Sequence, residues 1–490
     1  MGSHHFGWLP MDPATTAALN GTMTLPSTAA ASNSATYCVN PAAYASVAPE
    51  MMQPAPALEA EAARRRQEEE AAAIHLVHLL VTCAGAIQAG DYSAAHGNLS
   101  DARGILGTIS TAWGIGCLAE HFASALAHRL FPASPLSPLS PPPPASPAEL
   151  HHHFYDAAPY LRSAHFAANQ AILEAFGGCH HEVHVVDIAI MQGQQWPALM
   201  HALAMREGGP PRLLRITGIA PASQAARDEL REVGFRLTEL ARSLNIGFKF
   251  QVVHADEIEV ALLQIKELKR DQGIAVNSVL QLHRFLADRD ADPALPTTIN
   301  FVLRWVTAVR PRVFTVLEQE ADHNRASLQE RFTNALFHYA AVFDSMEAVG
   351  SGSSALAEAY IQSEIFDVVC GEGDGRAERH EPLPLWRHRL ARAGLAQVPF
   401  SPGTAHHAAR LLRGMTSLPS SFASGAAGFS VVERDGSLGL AWHGRVLYSA
   451  TAWRSPGAGG HAARAAAMGP RDSLRMMRAQ AQAAALRLRE

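Results

Sequence analysis

The sequence predicts an α/β fold in which a Rossmann-like mixed sheet forms the core. Short apolar runs of strand character alternate with helical stretches from about residue 181 onward, as in doubly wound sheets. Near the C-terminus two such runs flank Asp435-Gly436, a pair typical of a tight antiparallel hairpin. The predicted strands cover residues 183–187, 213–219, 248–253, 274–280, 313–318, 365–369, 429–433 and 438–442.

A helical region precedes the sheet. Apolar residues at three-to-four spacing predict helices over residues 58–90, 93–106, 118–130 and 150–176. Prolines interrupt this series, because proline has no amide donor and clashes inside a helix. The predicted organisation is a disordered N-terminal region (1–57), a helical cap subdomain with a leucine-rich region (58–176) and a proline-rich insertion at 132–147, an α/β core (177–454) and a loose C-terminal tail (455–490).

Composition and charge narrow the classes of function. The chain has 490 residues, of which 48% are hydrophobic, enough for a large core. Lys and Arg number 40 against 45 Asp and Glu, so the formal net charge is -5. A negative chain without a helix-turn-helix, zinc-finger or basic-zipper pattern argues against direct, sequence-specific DNA binding.

Cysteine spacing and hydropathy predict the compartment. The five cysteines lie far apart without a CxxC pair, which indicates reduced thiols in the cytosol or nucleus. The N-terminus has no apolar signal region, and we find no run of about 18 uncharged apolar residues of the kind that spans a membrane. We therefore expect no membrane partner.

The most informative stretch is the predicted strand Val183-His184-Val185-Val186-Asp187, which ends in a carboxylate. A Rossmann-like methyltransferase would place glycines in the following turn, so that the backbone can approach a cofactor. Here Ala189 and Met191 put side chains into that space, and the second strand supplies no carboxylate for a ribose. The sequence therefore predicts no enzyme and no cofactor, with a methyltransferase or small-molecule-binding protein as the alternative.

A turn rich in histidine raises the question of a metal site. Cys179, His180, His181 and His184 carry thiol and imidazole groups, which are good zinc ligands. Alternation along the strand sends His184 to the face opposite its strand neighbours, and no second ligand cluster of fixed spacing follows. We therefore expect His184 to make hydrogen bonds and the chain to hold no metal.

Five sequence blocks follow one another between residues 72 and 454. They are a leucine-rich stretch (77–130), the 183–187 strand with Gly193-Gln194-Gln195-Trp196-Pro197, a second leucine-rich stretch (213–286), residues 311–324 continued by Arg379-His380-Glu381 and Trp386, and Trp442-His443-Gly444-Arg445 through Ala452-Trp453-Arg454. With these blocks in this order, the chain resembles the plant GRAS family of transcriptional regulators.

Within that family the chain is similar to the DELLA-like growth repressors, through residues 281–286 and 378–383. Residues 1–70 contain no Asp-Glu-Leu-Leu-Ala segment, and Val39-Asn40-Pro41 is too short for the second receptor-binding motif. The resemblance implies a nuclear repressor of gibberellin responses that contacts DNA-binding transcription factors, with other GRAS proteins as a second class of partner. The missing segment argues against binding of the gibberellin receptor.

Two groups of residues are candidates for partner binding. Leu76, Leu79 and Leu80 lie in an LxxLL pattern, which can dock into a groove of a partner. The competing interpretation, in which these leucines close the helical cap onto the core, stays open. The second group comprises Leu282, His283, Arg284 and Phe285.

Ten further residues are predicted to hold the fold. We expect Asp187 to cap the next helix or to pair with a basic neighbour, and Trp196 to anchor that helix in the core. The set comprises Val183, His184, Asp187, Gln195, Trp196, Arg379, Glu381, Trp386, Trp442 and Trp453.

Overall fold

The computed structural model describes residues 56–109, 114–131, 146–179, 181–265, 268, 273–288, 297–349, 355–414 and 428–455. Nearly all of the N-terminal region predicted to be disordered, most of the proline-rich insertion and the C-terminal tail lie outside the described residues. The chain divides into two compact units, Met1–Ala72 and Ala73–Glu490, and the fold below is that of the second unit, except that its first helix begins in the first unit.

Five helices precede the first strand in the described part of the chain, where the sequence predicts a helical cap. The predicted helix over residues 150–176 is two helices that meet at Ala158, with Pro159 in the first turn of the second. Proline is tolerated in a first turn, where its missing N–H costs nothing, but it breaks a helix interior. The helices are α1 (Pro56–Ala89), α2 (Tyr92–Leu106), α3 (Gly114–Leu130), α4 (Pro147–Ala157) and α5 (Pro159–Ala175).

Helix α1 contains a segment, Gln67–Ala89, that is long and apolar enough to cross a membrane by length and composition alone, with a mean hydropathy of 1.6. The sequence expectation of no such run was therefore wrong for this segment. Core helices of soluble proteins pass the same test. Here Leu76, Leu80 and Cys83 are fully buried in the core, so their apolar character is explained by packing.

Nine strands form one mixed sheet, which confirms the predicted fold class. Five parallel strands stand in the order β3-β2-β1-β4-β5, and β9, β8 and β7 extend the sheet antiparallel from β5, while β6 pairs with β9. The strands are β1 (Glu182–Asp187), β2 (Leu213–Ala220), β3 (Phe248–His254), β4 (Gly273–Val279), β5 (Val313–Gln319), β6 (Ala396–Val398), β7 (Phe429–Arg434), β8 (Ser437–Trp442) and β9 (Arg445–Arg454).

The order of the parallel strands creates a topological switch point. Strand β1 pairs with β2 on one side and with β4 on the other, so the connections run in opposite directions from it. The predicted hairpin is also present between β7 and β8. Asp435 and Gly436 have φ angles of 50 and 75, the left-handed conformation that a tight hairpin turn requires.

Three strand predictions need correction. Residues 365–369 lie inside a helix, because Ile361, Ile365 and Val368 form one buried helical face, and a short apolar run cannot by itself distinguish helix from strand. Strands β6 and β9 were not predicted. Strand β9 is buried on both faces and carries small residues at its centre, so neither alternation nor a bulky apolar run marks it.

The sheet separates two apolar clusters. Val183 and Val185 face the first cluster, which includes the cap helices, whereas Val186 faces the second, as alternation along a strand requires. Residues from α6, α7, α10, α11 and α13 join the first cluster and residues from α8, α9 and α12 the second. These helices are α6 (Trp196–Met205), α7 (Gln224–Ser243), α8 (Ile258–Gln264), α9 (Thr298–Val309), α10 (Leu328–Val349), α11 (Ala355–Cys370), α12 (Leu383–Arg392) and α13 (Pro402–Gly414).

Truncating a side chain to alanine should affect the free energy of unfolding differently on the two faces of α1. Leu80→Ala should lower the free energy of unfolding by about 2–5 kcal/mol, because Leu80 is fully buried and its removal leaves a cavity. The matched control Ile74→Ala, on the same helix but 65% exposed, should change it by less than about 0.5 kcal/mol. Urea unfolding of the three proteins measures both values, and equal losses for the two variants would contradict the assignment.

Candidate functional site

The carboxyl end of β1 is the place where open α/β sheets bind their ligands, because it lies at the switch point. Asp187 is the last residue of this strand. In register with it stand Gly218 in β2 and Asn277 in β4. The side chains around these three residues decide whether a ligand could enter.

Asp187 is buried and held by three donors. Trp196 Nε1 donates to one carboxylate oxygen at 3.1 Å, while Asn277 Nδ2 and the Ala189 backbone N–H donate to the other at 3.3 Å each. Burial raises the pKa of Asp187 to about 7, and the three hydrogen bonds act in the opposite direction. Asp187 is not the cap residue of α6, which is Gln195, and no basic residue is among these contacts; the carboxylate anchors a tryptophan and an asparagine instead.

A chain of amides continues from Asp187 across the sheet. Gln195 Nε2 donates to Asn169 Oδ1 at 3.0 Å, and Asn277 Nδ2 donates to Gln195 Oε1 at 3.1 Å. The Thr315 hydroxyl donates to Asn277 Oδ1 at 2.7 Å. The polar ends of β1, β4 and β5 are thereby bonded to one another and to α5, rather than presented to a ligand.

Ile190 closes the remaining space. The sequence pointed to Ala189 and Met191 as the obstructing side chains, but in the structure Ile190 is buried against β2. A Cβ added to Gly218 would lie only 2.5 Å from Ile190 Cδ1, so glycine here admits the isoleucine side chain and not a cofactor. A cavity beside the amide chain holds about 10 Å³, room for one water molecule.

A second buried network lies past the ends of β4 and β5. His283, in a short 3-10 helix (Leu282–Phe285), bonds through Nδ1 to Glu318 at 2.6 Å and through Nε2 to Glu378 at 2.8 Å. Burial alone lowers the pKa of His283, but the two carboxylates more than reverse this and raise it to about 10. His283 is therefore an imidazolium that joins the 3-10 helix to β5 and to the segment carrying Glu378.

Neutral histidines extend this network. His380 Nε2 lies 3.3 Å from Glu378 Oε2, and His323 Nδ1 lies 3.0 Å from His380 Nδ1. Burial lowers the pKa of His323 to about 3 and that of His380 well below its usual range, so neither is charged at neutral pH.

The ligand-type atoms of His283, Glu378 and His380 lie within 4.8 Å of one another, but the 2.8 Å contact between His283 and Glu378 is a hydrogen bond and leaves no space for an ion.

The residues predicted to bind partners are mostly buried. Leu76 and Leu80 are fully buried and Leu79 nearly so, which favours the interpretation that they close the cap onto the core. The 3-10 helix places Leu282 and His283 in the interior and packs Phe285, which is half-buried, against the second apolar cluster. Arg284 differs, because its side chain is 46% exposed while its guanidinium contacts Glu378 at 2.8 Å.

The polar residues predicted to hold the fold all make internal contacts. His184 Nε2 lies 2.9 Å from the Thr217 hydroxyl on the neighbouring strand, and Val183 packs beside it in the core. Arg379 Nε donates to the Leu286 carbonyl at 2.8 Å. Glu381 accepts two hydrogen bonds from the Arg389 guanidinium, at 2.7 and 2.8 Å.

The three C-terminal tryptophans are buried as well. Trp386 and Trp453 belong to the second apolar cluster, and the Trp453 indole donates to the Thr451 hydroxyl at 2.9 Å. Trp442 donates to Asp344 at 2.5 Å, which joins the end of β8 to α10. These tryptophans therefore connect the antiparallel part of the sheet to the helices that cover it.

Sequence reasoning missed the residues that complete both networks. Asn277 was detectable, together with Ser278, as a polar residue in a largely apolar strand, but nothing in the sequence pairs it with Asn169 or Thr315. Glu318 and Glu378 stand inside recognised sequence blocks, yet their shared partner His283 lies 35 and 95 residues away. Such long-range pairing is decided by the fold.

The His283 network should make stability depend on pH. The raised pKa means that the folded state holds the proton more tightly, so the stabilisation is complete below about pH 6.5, where the unfolded chain is also protonated. It is lost as pH rises from about 6.5 to about 10. His283→Gln should cost about 3–5 kcal/mol at pH 6.5, because it leaves two carboxylates buried without their cation, and less as the pH rises.

Urea unfolding of wild type and His283→Gln between pH 6.5 and 10 measures this difference. His96→Gln is the matched control, since His96 is exposed. A wild-type advantage over His283→Gln that stays constant across the range would contradict the charged state assigned to His283.

Comparisons with known proteins agree with this geometry. Residues 76–454 match the GRAS domain family. Protein SLENDER RICE1-LIKE 1 of Oryza sativa subsp. japonica is 50% identical over 472 residues, which cover 94% of this chain and 92% of that protein. DELLA protein DWARF8 of Zea mays is 39% identical over 408 residues, which cover 79% of this chain but 62% of that protein.

A solved structure shares the fold. The crystal structure of SCL7 in Oryza sativa superposes with a TM-score of 0.64 at 30% identity, and the match covers 77% of this chain and 99% of that one. The family match, the sequence relatives and the fold thus all indicate the same family. The chain belongs to the GRAS domain family, in its DELLA-like subgroup.

Proposed function

We propose that the chain is a nuclear transcriptional regulator that binds DNA-binding transcription factors and represses gibberellin responses. Its similarity to DELLA proteins and to SLENDER RICE1-LIKE proteins supports the class of regulator. The observation that carries the proposal is the closed carboxyl edge of the sheet, where Ile190 and the Asp187 network take the place of a cofactor. This closure argues against cofactor-dependent catalysis at this edge and supports a role through contacts with other proteins.

The partner surface that we propose is the outer face of α1. The leucines of the LxxLL pattern face inward, so they support this surface instead of forming it. Ile74 is 65% exposed on the outer face, and Val77 and Val81 follow at helical spacing; both valines are half-buried and also pack against the first apolar cluster. The part of this apolar stripe that stays exposed can pack against an amphipathic helix or a groove of a transcription factor.

Hormone independence is the second part of the proposal. Residues 1–70 carry no Asp-Glu-Leu-Leu-Ala segment. We therefore infer that the gibberellin receptor does not bind this chain and that the hormone does not trigger its loss. The repressor would then be active at every hormone concentration.

A pull-down with purified full-length chain tests both parts. The baits are a gibberellin receptor, with and without gibberellin, and a panel of plant DNA-binding transcription factors. We expect retention of at least one transcription factor and no retention of the receptor in either condition. Hormone-dependent retention of the receptor would contradict hormone independence, and failure of every transcription factor to bind would contradict the regulatory role.

Variants of exposed residues then locate the surface. Ile74→Glu should weaken retention of the transcription factor more than about tenfold, because it puts a charge into the apolar stripe, while the melting temperature stays unchanged. Tyr92→Glu is the matched control, since Tyr92 is 64% exposed at the start of the next helix. Equal retention of the two variants would place the partner surface elsewhere.

A further inference from the structure

A cluster of metal-ligand side chains lies between two helices, away from the networks at the sheet edge. Cys117 and His121 stand one turn apart on the same face of α3, and Glu358 faces them from α11. Cys117 is buried, whereas His121 and Glu358 are half-buried. The three side chains therefore converge on one point that solvent can reach from one side.

The contacts between the three ligand atoms are sulfur hydrogen bonds, which are longer than N–H···O bonds. Cys117 Sγ lies 3.7 Å from His121 Nε2 and 4.0 Å from Glu358 Oε2, and all three atoms lie within 4.8 Å of one another. In a tetrahedral zinc site, the usual bond lengths place neighbouring ligand atoms about 3.5 Å apart. Small side-chain rotations would thus bring the three atoms to bonding distance from a common centre.

The charge around the cluster is negative. The charged groups that act on the Cys117 thiol are the carboxylates of Glu358, Glu120 and Glu347. A bound cation would balance this charge.

We propose that Cys117, His121 and Glu358 bind a zinc ion. Thiolate and imidazole ligands favour a borderline-soft cation such as zinc over magnesium or calcium, which prefer oxygen. As the zinc–sulfur bond forms, the thiol gives its proton to solvent and no oxidation state changes. Water fills the fourth position on the exposed side. The ion joins α3 to α11, which differs from the sequence expectation that the chain holds no metal.

Cobalt spectroscopy of the full chain tests the proposal, because Co²⁺ occupies zinc sites and absorbs when a thiolate binds it. The purified chain, freed of metal with a chelator, is titrated with CoCl₂ and then with ZnCl₂. We expect a thiolate-to-cobalt charge-transfer band that saturates at one ion per chain and disappears when zinc is added. Absence of a saturable band in the wild-type chain would overturn the proposal.

Variants assign the band to its ligands. Cys117→Ser should abolish the band, and Glu358→Gln should weaken zinc binding more than about tenfold. Cys370→Ser is the matched control, because Cys370 lies on α11 with its thiol bonded to the Ala125 carbonyl at 3.2 Å, outside the cluster. Circular dichroism of the metal-free variants shows whether each is folded. A band that persists in folded Cys117→Ser, or that is lost in folded Cys370→Ser, would refute the assignment.

Discussion

The buried carboxylate of Asp187 is the constraint on which the rest of the sheet edge depends. A carboxylate removed from water needs hydrogen-bond donors, and here the Trp196 indole and the Asn277 amide supply them. Because Trp196 begins α6 and Asn277 belongs to β4, this one group fixes the next helix and the neighbouring strand together. The turn between β1 and α6 then has a single geometry, in which Ile190 lies on Gly218.

The filled switch point distinguishes this chain from Rossmann-like proteins that bind a cofactor there. Rossmann-like sheets keep the switch point open for a cofactor. In this chain the Asp187 network fills it on one side, and past β4 and β5 the His283 imidazolium holds two carboxylates in the interior. In both networks, polar groups at the sheet edge serve as internal hydrogen-bond partners. The partly exposed stripe of α1 and the cluster between α3 and α11 lie on helices instead.

Local patterns in the sequence predicted the framework well; the errors arose in segments whose local pattern is ambiguous and in contacts between residues far apart in the sequence. Seven of the predicted strands are present in the structure. They could be predicted because apolar runs and turn residues are local signals. Strand β9 escaped detection because both its faces are buried, and 365–369 was assigned to a strand because its branched residues also suit a helix face. At the site, Asp187 and Trp196 were identified, but Asn277 and Glu378 could not be paired with them or with His283, since only the fold brings these residues together.

A calorimetric titration of the purified full-length chain with S-adenosylmethionine tests the central claim most directly. The closed switch point predicts no saturable heat, because Ile190 and the Asp187 network occupy the position that the cofactor needs. Saturable binding in the micromolar range that weakens in Asp187→Asn would contradict it, and would show that this edge of the sheet opens to a ligand.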